Sequence, residues 1–201
     1  NKDFYAYGAQ LEEASYPTSY IPTFGAGSVT RNAEVCDNSG TSGDFNDDEG
    51  VLFAEIGALA DDQTQRRFTL TDGSNNNRIG IGYSTNSNEL QAFLLNGGAI
   101  QANLFVTVDN ILNFNKVALK YIEDDIALWI NGFEVATDTN ATMPSGLDTL
   151  RFEDGDGGDD FYGKNKQLIT FKEALTDAEL ETLTSWASFS DMALSQNYIV
   201  E

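Results

Sequence analysis

Between Val51 and Phe152 the chain reads as short apolar-rich segments broken about every 8–12 residues by turn residues, the rhythm of an antiparallel sandwich. Val51 to Leu59 (VLFAEIGAL) is apolar on both faces, which predicts a central strand. Arg66 to Thr71 and Arg78 to Tyr83 flank the hairpin turn DGSNNN, and Glu89 to Leu95 and Ala99 to Val106 flank Asn96-Gly97-Gly98. Phe114 to Ile122 meets Ile126 to Ile130 across Glu123-Asp124-Asp125. Asn131-Gly132 is the strongest hairpin signal, a type I′ candidate, before Phe133 to Thr137. Leu150 and Phe152 mark one more strand. Phe161 to Trp186 then reads as a strand (Lys164 to Phe171), a turn and a short amphipathic helix. Thr176 stands at the N-cap with Glu179 three residues on, and Leu180, Leu183 and Trp186 share one helical face.

Two of these stretches, FYGKNKQLITFKEALTDAELETL and LWINGFEVA, resemble the closing segment and the NG hairpin of the laminin-G/concanavalin-A-like jelly-roll family. The resemblance implies an all-β fold, a two-sheet antiparallel jelly-roll sandwich with a short C-terminal helix. It also implies a binding module. At the other end, the run GAQLE…YPTSYIPT…VTRNAE resembles the inter-domain segment of modular phage and bacterial surface proteins. Residues 1–32 therefore read as an N-terminal arm or linker, and 33–201 as the sandwich. Tyr5 to Glu13 is either the last strand of a preceding β-domain or a packed arm of this one.

Strand alternation separates two faces. One carries Phe68, Leu70, Ile79, Ile81, Tyr83, Leu90, Ala92, Leu94, Ile100, Ala102 and Leu104, and is a core. The other carries Arg67, Thr69, Thr71, Arg78, Gly80, Gly82, Gln91, Phe93, Gln101, Asn103 and Phe105. A solvated antiparallel sheet face is polar by default. Arg, amide and aromatic groups together are also what sugar recognition needs: planar polar groups for vicinal hydroxyls and a ring for the apolar face of a pyranose. On that reading the ligand-binding set is Arg67, Arg78, Gln91, Phe93, Gln101, Asn103 and Phe105. The two arginines would suit a carboxylated or sulfated glycan, and in the resembled family such a sheet is the concave glycan cleft.

Charge narrows the partners. The 201 residues hold 32 acidic against 11 basic side chains, a formal net charge of −21. That excludes nucleic acid and anionic membrane surfaces as expected partners, because phosphate neutralisation needs clustered Lys and Arg. No apolar run approaches the ~18 residues of a membrane span. The chain opens on Asn1 with no basic and apolar leader pattern, which suggests a fragment or a processed product. Cys36 is the only cysteine, so stability is expected from the core, with metal as a further source.

Two loops concentrate carboxylates: Asp44, Asp47, Asp48 and Glu49, and the run Glu153 to Asp160 (EDGDGGDD). Hard cations take several oxygens from flexible Gly-containing loops. The second loop lacks the spacing of an EF-hand, but the family resemblance implies rim calcium, with Asp154, Asp156, Asp159 and Asp160 as candidate ligands. A solvated acidic loop is the plainer alternative.

Histidine is absent, which removes imidazole bases, Ser-His-Asp triads and His-ligated zinc. The resembled fold also hosts glycosidases and polysaccharide lyases. Glycosidases need two carboxylates about 5–10 Å apart. The laminarinase-like relatives carry E-x-D-x-x-E on one strand, whereas VLFAEIGAL offers only Glu55, expected as a lone hydrogen-bonded residue near the sheet edge. The lyase motif requires a histidine. The leading expectation is a non-catalytic carbohydrate-binding module of a larger extracellular or virion-surface protein, such as a phage tail fibre or bacterial adhesin. Its partners would be a polysaccharide or cell-surface glycan and the neighbouring modules of the parent protein, with a homo-oligomer among the assemblies allowed. The alternatives are a structural appendage and a divergent polysaccharide-degrading enzyme.

Overall fold

The computed structural model describes residues 39–195 together with Tyr20, Pro22, Phe24 and Gly25. The chain divides into two compact units, Asn1–Val35 and Cys36–Glu201. The strand expected at Tyr5 to Glu13 and the lone Cys36 lie outside the described residues.

Its strands are β1 (Glu49–Ala58), β2 (Arg66–Thr71), β3 (Arg78–Tyr83), β4 (Glu89–Asn96), β5 (Ala99–Thr107), β6 (Asn115–Ile122), β7 (Ile126–Ile130), β8 (Phe133–Asp138), β9 (Thr149–Arg151) and β10 (Gly163–Phe171). Two helices follow, α1 (Asp177–Thr184) and α2 (Phe189–Ser195), the second unannounced by the sequence pattern. The strands form two five-stranded antiparallel sheets, ordered β10-β1-β6-β7-β8 and β5-β4-β3-β2-β9.

The inner faces of the two sheets make one core, in which Leu52, Ala54, Ile56 and Leu119 of the first meet Phe68, Ile79, Ile81 and Leu94 of the second. The outer side of β1 is apolar for a separate reason. Val51 and Phe53 form a smaller cluster with Ala127, Trp129 and Leu180 of α1. Burial on both sides explains the unbroken apolar run.

Helix α1 starts as expected. The Thr176 N–H and Oγ1 donate to Glu179 Oε2 at 2.9 and 2.7 Å, which satisfies a backbone donor at the helix start and places a carboxylate by its positive end. Asn131 and Gly132 both have positive φ (52° and 93°), as a type I′ turn requires. The turn is held by Lys116 N–H to Asn131 Oδ1 (2.9 Å) and by Gly132 N–H to Thr184 Oγ1 (3.1 Å).

One expected core residue is outside. A register shift between Leu94 and Leu95 pairs Leu94 with Ala102 but Leu95 with Ile100. The extra residue, Gln101, turns Ile100 to the outer face, where it is 64% exposed.

Candidate functional site

The outer face of the β5-β4-β3-β2-β9 sheet is set out by its registers. One cross-strand row runs Arg67, Gly82, Gln91, Phe105. The next runs Arg151, Thr69, Gly80, Phe93, Asn103, and a third runs Thr149, Thr71, Arg78, Leu95, Ile100. Six of the seven expected ligand-binding residues thus share this face: Arg67, Arg78, Gln91, Phe93, Asn103 and Phe105. Phe105 closes the first row, opposite Gln91. Gln101 does not join them. It sits at the bulge, and its Oε1 accepts from Thr142 Oγ1 at 3.0 Å.

Phe93 is 3% exposed and lies flat on the sheet over Gly80, where a side chain would overlap its ring. The guanidinium carbons of Arg67 and Arg78 lie 4.9 and 5.3 Å from that ring's centroid. Phe93 is therefore the platform for two cations and not a surface for a ligand. From Arg67 a chain of hydrogen bonds crosses the sheet: Arg67 Nη2 donates to Gln91 Oε1 (3.3 Å), and Gln91 Nε2 donates to Asn103 Oδ1 (2.7 Å). Asn103 is exposed and Phe105 is 49% exposed, so the network reaches solvent on β5.

The far end of the network is covered by the acidic loop. Phe152 and Phe161 anchor its two ends in the core against Phe68, with centroids 4.8 and 3.8 Å away. Between them, Asp159 Oδ2 stands 3.1 Å from Arg67 Nη1, and Asp154 Oδ2 stands 3.5 Å from Arg78 Nη1. Main-chain carbonyls add to this: Glu153 O accepts from Thr69 Oγ1 (2.8 Å), Asp159 O from Arg67 N–H (3.0 Å), and Asp154 O from Arg78 Nη1. Both arginine side chains are 11% exposed. Both are answered by the chain's own loop rather than standing open on the sheet.

Electrostatics follow the same geometry. Burial pushes the Arg67 guanidinium below the ordinary arginine range, and Asp159 offsets only part of that. Burial also raises Asp154, but the Gly158 N–H (3.0 Å) and Arg78 outweigh it, leaving the carboxyl below its usual value.

Of the four candidate calcium ligands, Asp154 and Asp159 are held by arginine. Asp160 Oδ2 accepts from Tyr162 Oη (3.2 Å), and Asp156 is exposed. In the other acidic loop, Asp47 accepts from Gly146 and Leu147 N–H (2.6 and 2.9 Å), and Glu49 accepts from Ala174 N–H (2.9 Å). No group of three or more Asp, Glu or Cys with metal-ligating arrangement occurs among the described residues. With Asp154 and Asp159 on guanidinia, Asp156 and Asp160 are the candidates without an arginine, and two carboxylates supply fewer oxygens than the roughly six or more that calcium takes.

Glu55 belongs to the opposite sheet. It is buried on β1 and pairs with Lys166 of the edge strand β10 at 2.8 Å. That ion pair accounts for a lone carboxylate on an apolar strand.

Arg151, which the strand pattern did not single out, pairs with Glu153 of the acidic run at 2.7 Å beside this face. The signal was present: if Leu150 and Phe152 point inward, Arg151 between them points outward.

No protein-family model matches the chain, and no curated protein matches it. Several solved structures share its fold. The CBM40 module of the Ruminococcus gnavus IT-sialidase, bound to α2,3-sialyllactose, aligns with a TM-score of 0.59 and 16% identity, over 76% of this chain and 96% of that one. The leech intramolecular trans-sialidase aligns with a TM-score of 0.56 and 20% identity, over 72% of this chain but 24% of that one. A heptameric SAP-like pentraxin from Limulus polyphemus aligns at 0.54 and 16% identity, over 70% of this chain and 71% of that one. The chain is a concanavalin A-like jelly-roll sandwich.

Proposed function

We propose that this protein is a non-catalytic carbohydrate-binding module that takes a glycan across the β5 side of the polar sheet face. The observation that carries the reading is the Arg67–Gln91–Asn103 hydrogen-bond relay ending beside the half-exposed ring of Phe105. A relay anchored at a buried cation orients the amides before a ligand arrives, which lowers the ordering cost of binding. Phe105 supplies the apolar surface on which a pyranose ring packs. The CBM40 modules captured with α2,3- and α2,6-sialyllactose support a glycan as the ligand of this fold. The absence of histidine and the ion-paired state of Glu55 support a binding rather than a hydrolytic role. The setting is extracellular or on a virion surface, within a larger modular protein. No helix among the described residues is long and apolar enough to cross a membrane.

Native electrophoresis through gels containing a panel of polysaccharides tests this. Retardation in one polysaccharide that is lost in Asn103→Ala and Phe105→Ala supports the module. The same mobility in every gel refutes it. In that case the structural appendage gains, a reading favoured by the coverage of Arg67 and Arg78 by the chain's own loop.

A further inference from the structure

We propose that Asp154 and Asp159 set the ligand class of this face: they occupy the anion-pairing ends of Arg78 and Arg67, so the glycan bound is uncharged. The inference rests on the glycan-binding reading above and deepens it.

Arginine recognises a carboxylate or sulfate by presenting a fork of N–H groups to it. Arg67 has both terminal nitrogens engaged, and Arg78 has its Nη1 engaged by the loop and the neighbouring turn. Arg67 Nη1 faces Asp159 (3.1 Å) and its Nη2 donates to Gln91 (3.3 Å). Arg78 Nη1 donates to Asn75 Oδ1 (2.6 Å) and to the Asp154 carbonyl, with the Asp154 carboxylate 3.5 Å away. The Nε atoms of both are buried without a hydrogen-bond partner, out of reach of an incoming anion.

Charge counting points the same way. The loop from Glu153 to Asp160 carries five carboxylates. Three of them, Glu153, Asp154 and Asp159, are matched by Arg151, Arg78 and Arg67, and Asp156 and Asp160 have no arginine partner. An acidic glycan approaching this rim meets net negative charge, on a chain whose formal charge is −21. Exposed on the β5 side of this face are the amide of Asn103, the ring of Phe105 and the side chain of Ile100, all uncharged.

The loop is built to stay. Its ends are fixed by Phe152 and Phe161, and Asp154 N–H donates to Gly158 O at 2.8 Å across its base. The carboxylates are therefore a fixed part of the site, and removing their charge changes what it selects.

The test compares wild type with the Asp154→Asn/Asp159→Asn double variant in native gels containing neutral polysaccharides or polygalacturonate, at low ionic strength. A thermal melt confirms the fold of each. Wild type is expected to be retarded in a neutral gel and to run unretarded in polygalacturonate. The double variant is expected to gain at least tenfold in apparent affinity for polygalacturonate, whatever its retardation in the neutral gel. A folded double variant that gains nothing in polygalacturonate overturns the charge assignment and leaves the glycan reading standing. So does wild-type retardation in polygalacturonate that the substitutions do not strengthen. Wild type unretarded in every neutral gel overturns the glycan-binding reading and this inference with it. If the double variant does not fold, Asp159→Asn alone frees Arg67 while sparing the Asp154 turn, and carries the same expectation at smaller size.

Discussion

The ring of Phe93 fills the space that a side chain on Gly80 would occupy: a Cβ there would overlap Phe93 Cζ and lie 2.9 Å from the Phe68 carbonyl oxygen. Gly80→Ala is therefore expected to lift the ring and disperse the two guanidinia stacked on it. Overpacking of this kind costs about 1–3 kcal/mol. Urea denaturation checks it, with a reduced midpoint and an unchanged slope as the expected result.

Phe93 and Phe105 belong to one face but should respond oppositely to truncation. Phe93→Ala empties a buried site and is expected to cost about 3–5 kcal/mol of stability. Phe105→Ala removes a half-exposed ring, is expected to change stability by less than about 0.5 kcal/mol, and should weaken glycan retardation by up to about tenfold. Parallel melts and affinity gels separate the two effects, and a Phe105→Ala protein with full retardation would remove that ring from the site.

Arg66 is buried, and its Nη2 contacts both carboxylate oxygens of Asp62 at 2.8 and 2.7 Å. The hydrogen bond to Arg66, opposed by a desolvation cost, lowers Asp62 to about 2 from an ordinary 3.8. A depressed folded-state value means the contribution is complete above the unfolded value and is lost as pH falls through the folded one. The pair therefore supports the fold above about pH 4 and loses its effect towards about pH 2, by a modest amount because Asp62 is partly solvated. Carboxyl NMR titration should show this midpoint, and Arg66→Ala should return it to the ordinary range.

Calcium should leave the melting midpoint where a chelator leaves it, since Asp154 and Asp159 are already paired with guanidinia. A rise of several degrees with calcium would mean that other carboxylates converge on the ion.

Thr176→Ala should destabilise the protein by about 1 kcal/mol, the usual cost of losing an N-cap. The loss should appear first as faster amide exchange in α1, whose Leu180 seals the cluster around Phe53 and Trp129.

The sandwich was legible because most of its strands obey one rule, alternation between punctuating turns. Where an extra residue breaks that rule, at Gln101, the inward assignment of Ile100 failed, since nothing in the local sequence marks the bulge. The polar face was legible for the same reason as the core, being its complement. Its coverage was not. The pairing of Arg67 with Asp159 and of Arg78 with Asp154 joins residues far apart in the chain, and alternation carries no information about which loop folds over a strand. Arginines read in isolation look like receptors for anions. With their partners in place, Arg67 supports an amide relay and Arg78 ties the acidic loop to the sheet.

The two tight glycine turns will not age alike. In an Asn-Gly pair the glycine nitrogen can attack the asparagine side-chain carbonyl, close a succinimide and leave aspartate or isoaspartate behind. At Asn131 the groups that must swing together are held apart: Oδ1 accepts from Lys116 N–H (2.9 Å), Nδ2 donates to Asn115 Oδ1 (2.9 Å), and the Gly132 nitrogen is bound to Thr184 (3.1 Å). At Asn96 the Nδ2 donates to Thr142 Oγ1 (3.1 Å) and the Gly97 nitrogen donates to Asn77 Oδ1 (2.9 Å), but the side-chain carbonyl lacks the backbone tie that Lys116 gives Asn131. Deamidation on storage will begin at Asn96, and each event adds a negative charge beside the bulge that ends the polar face.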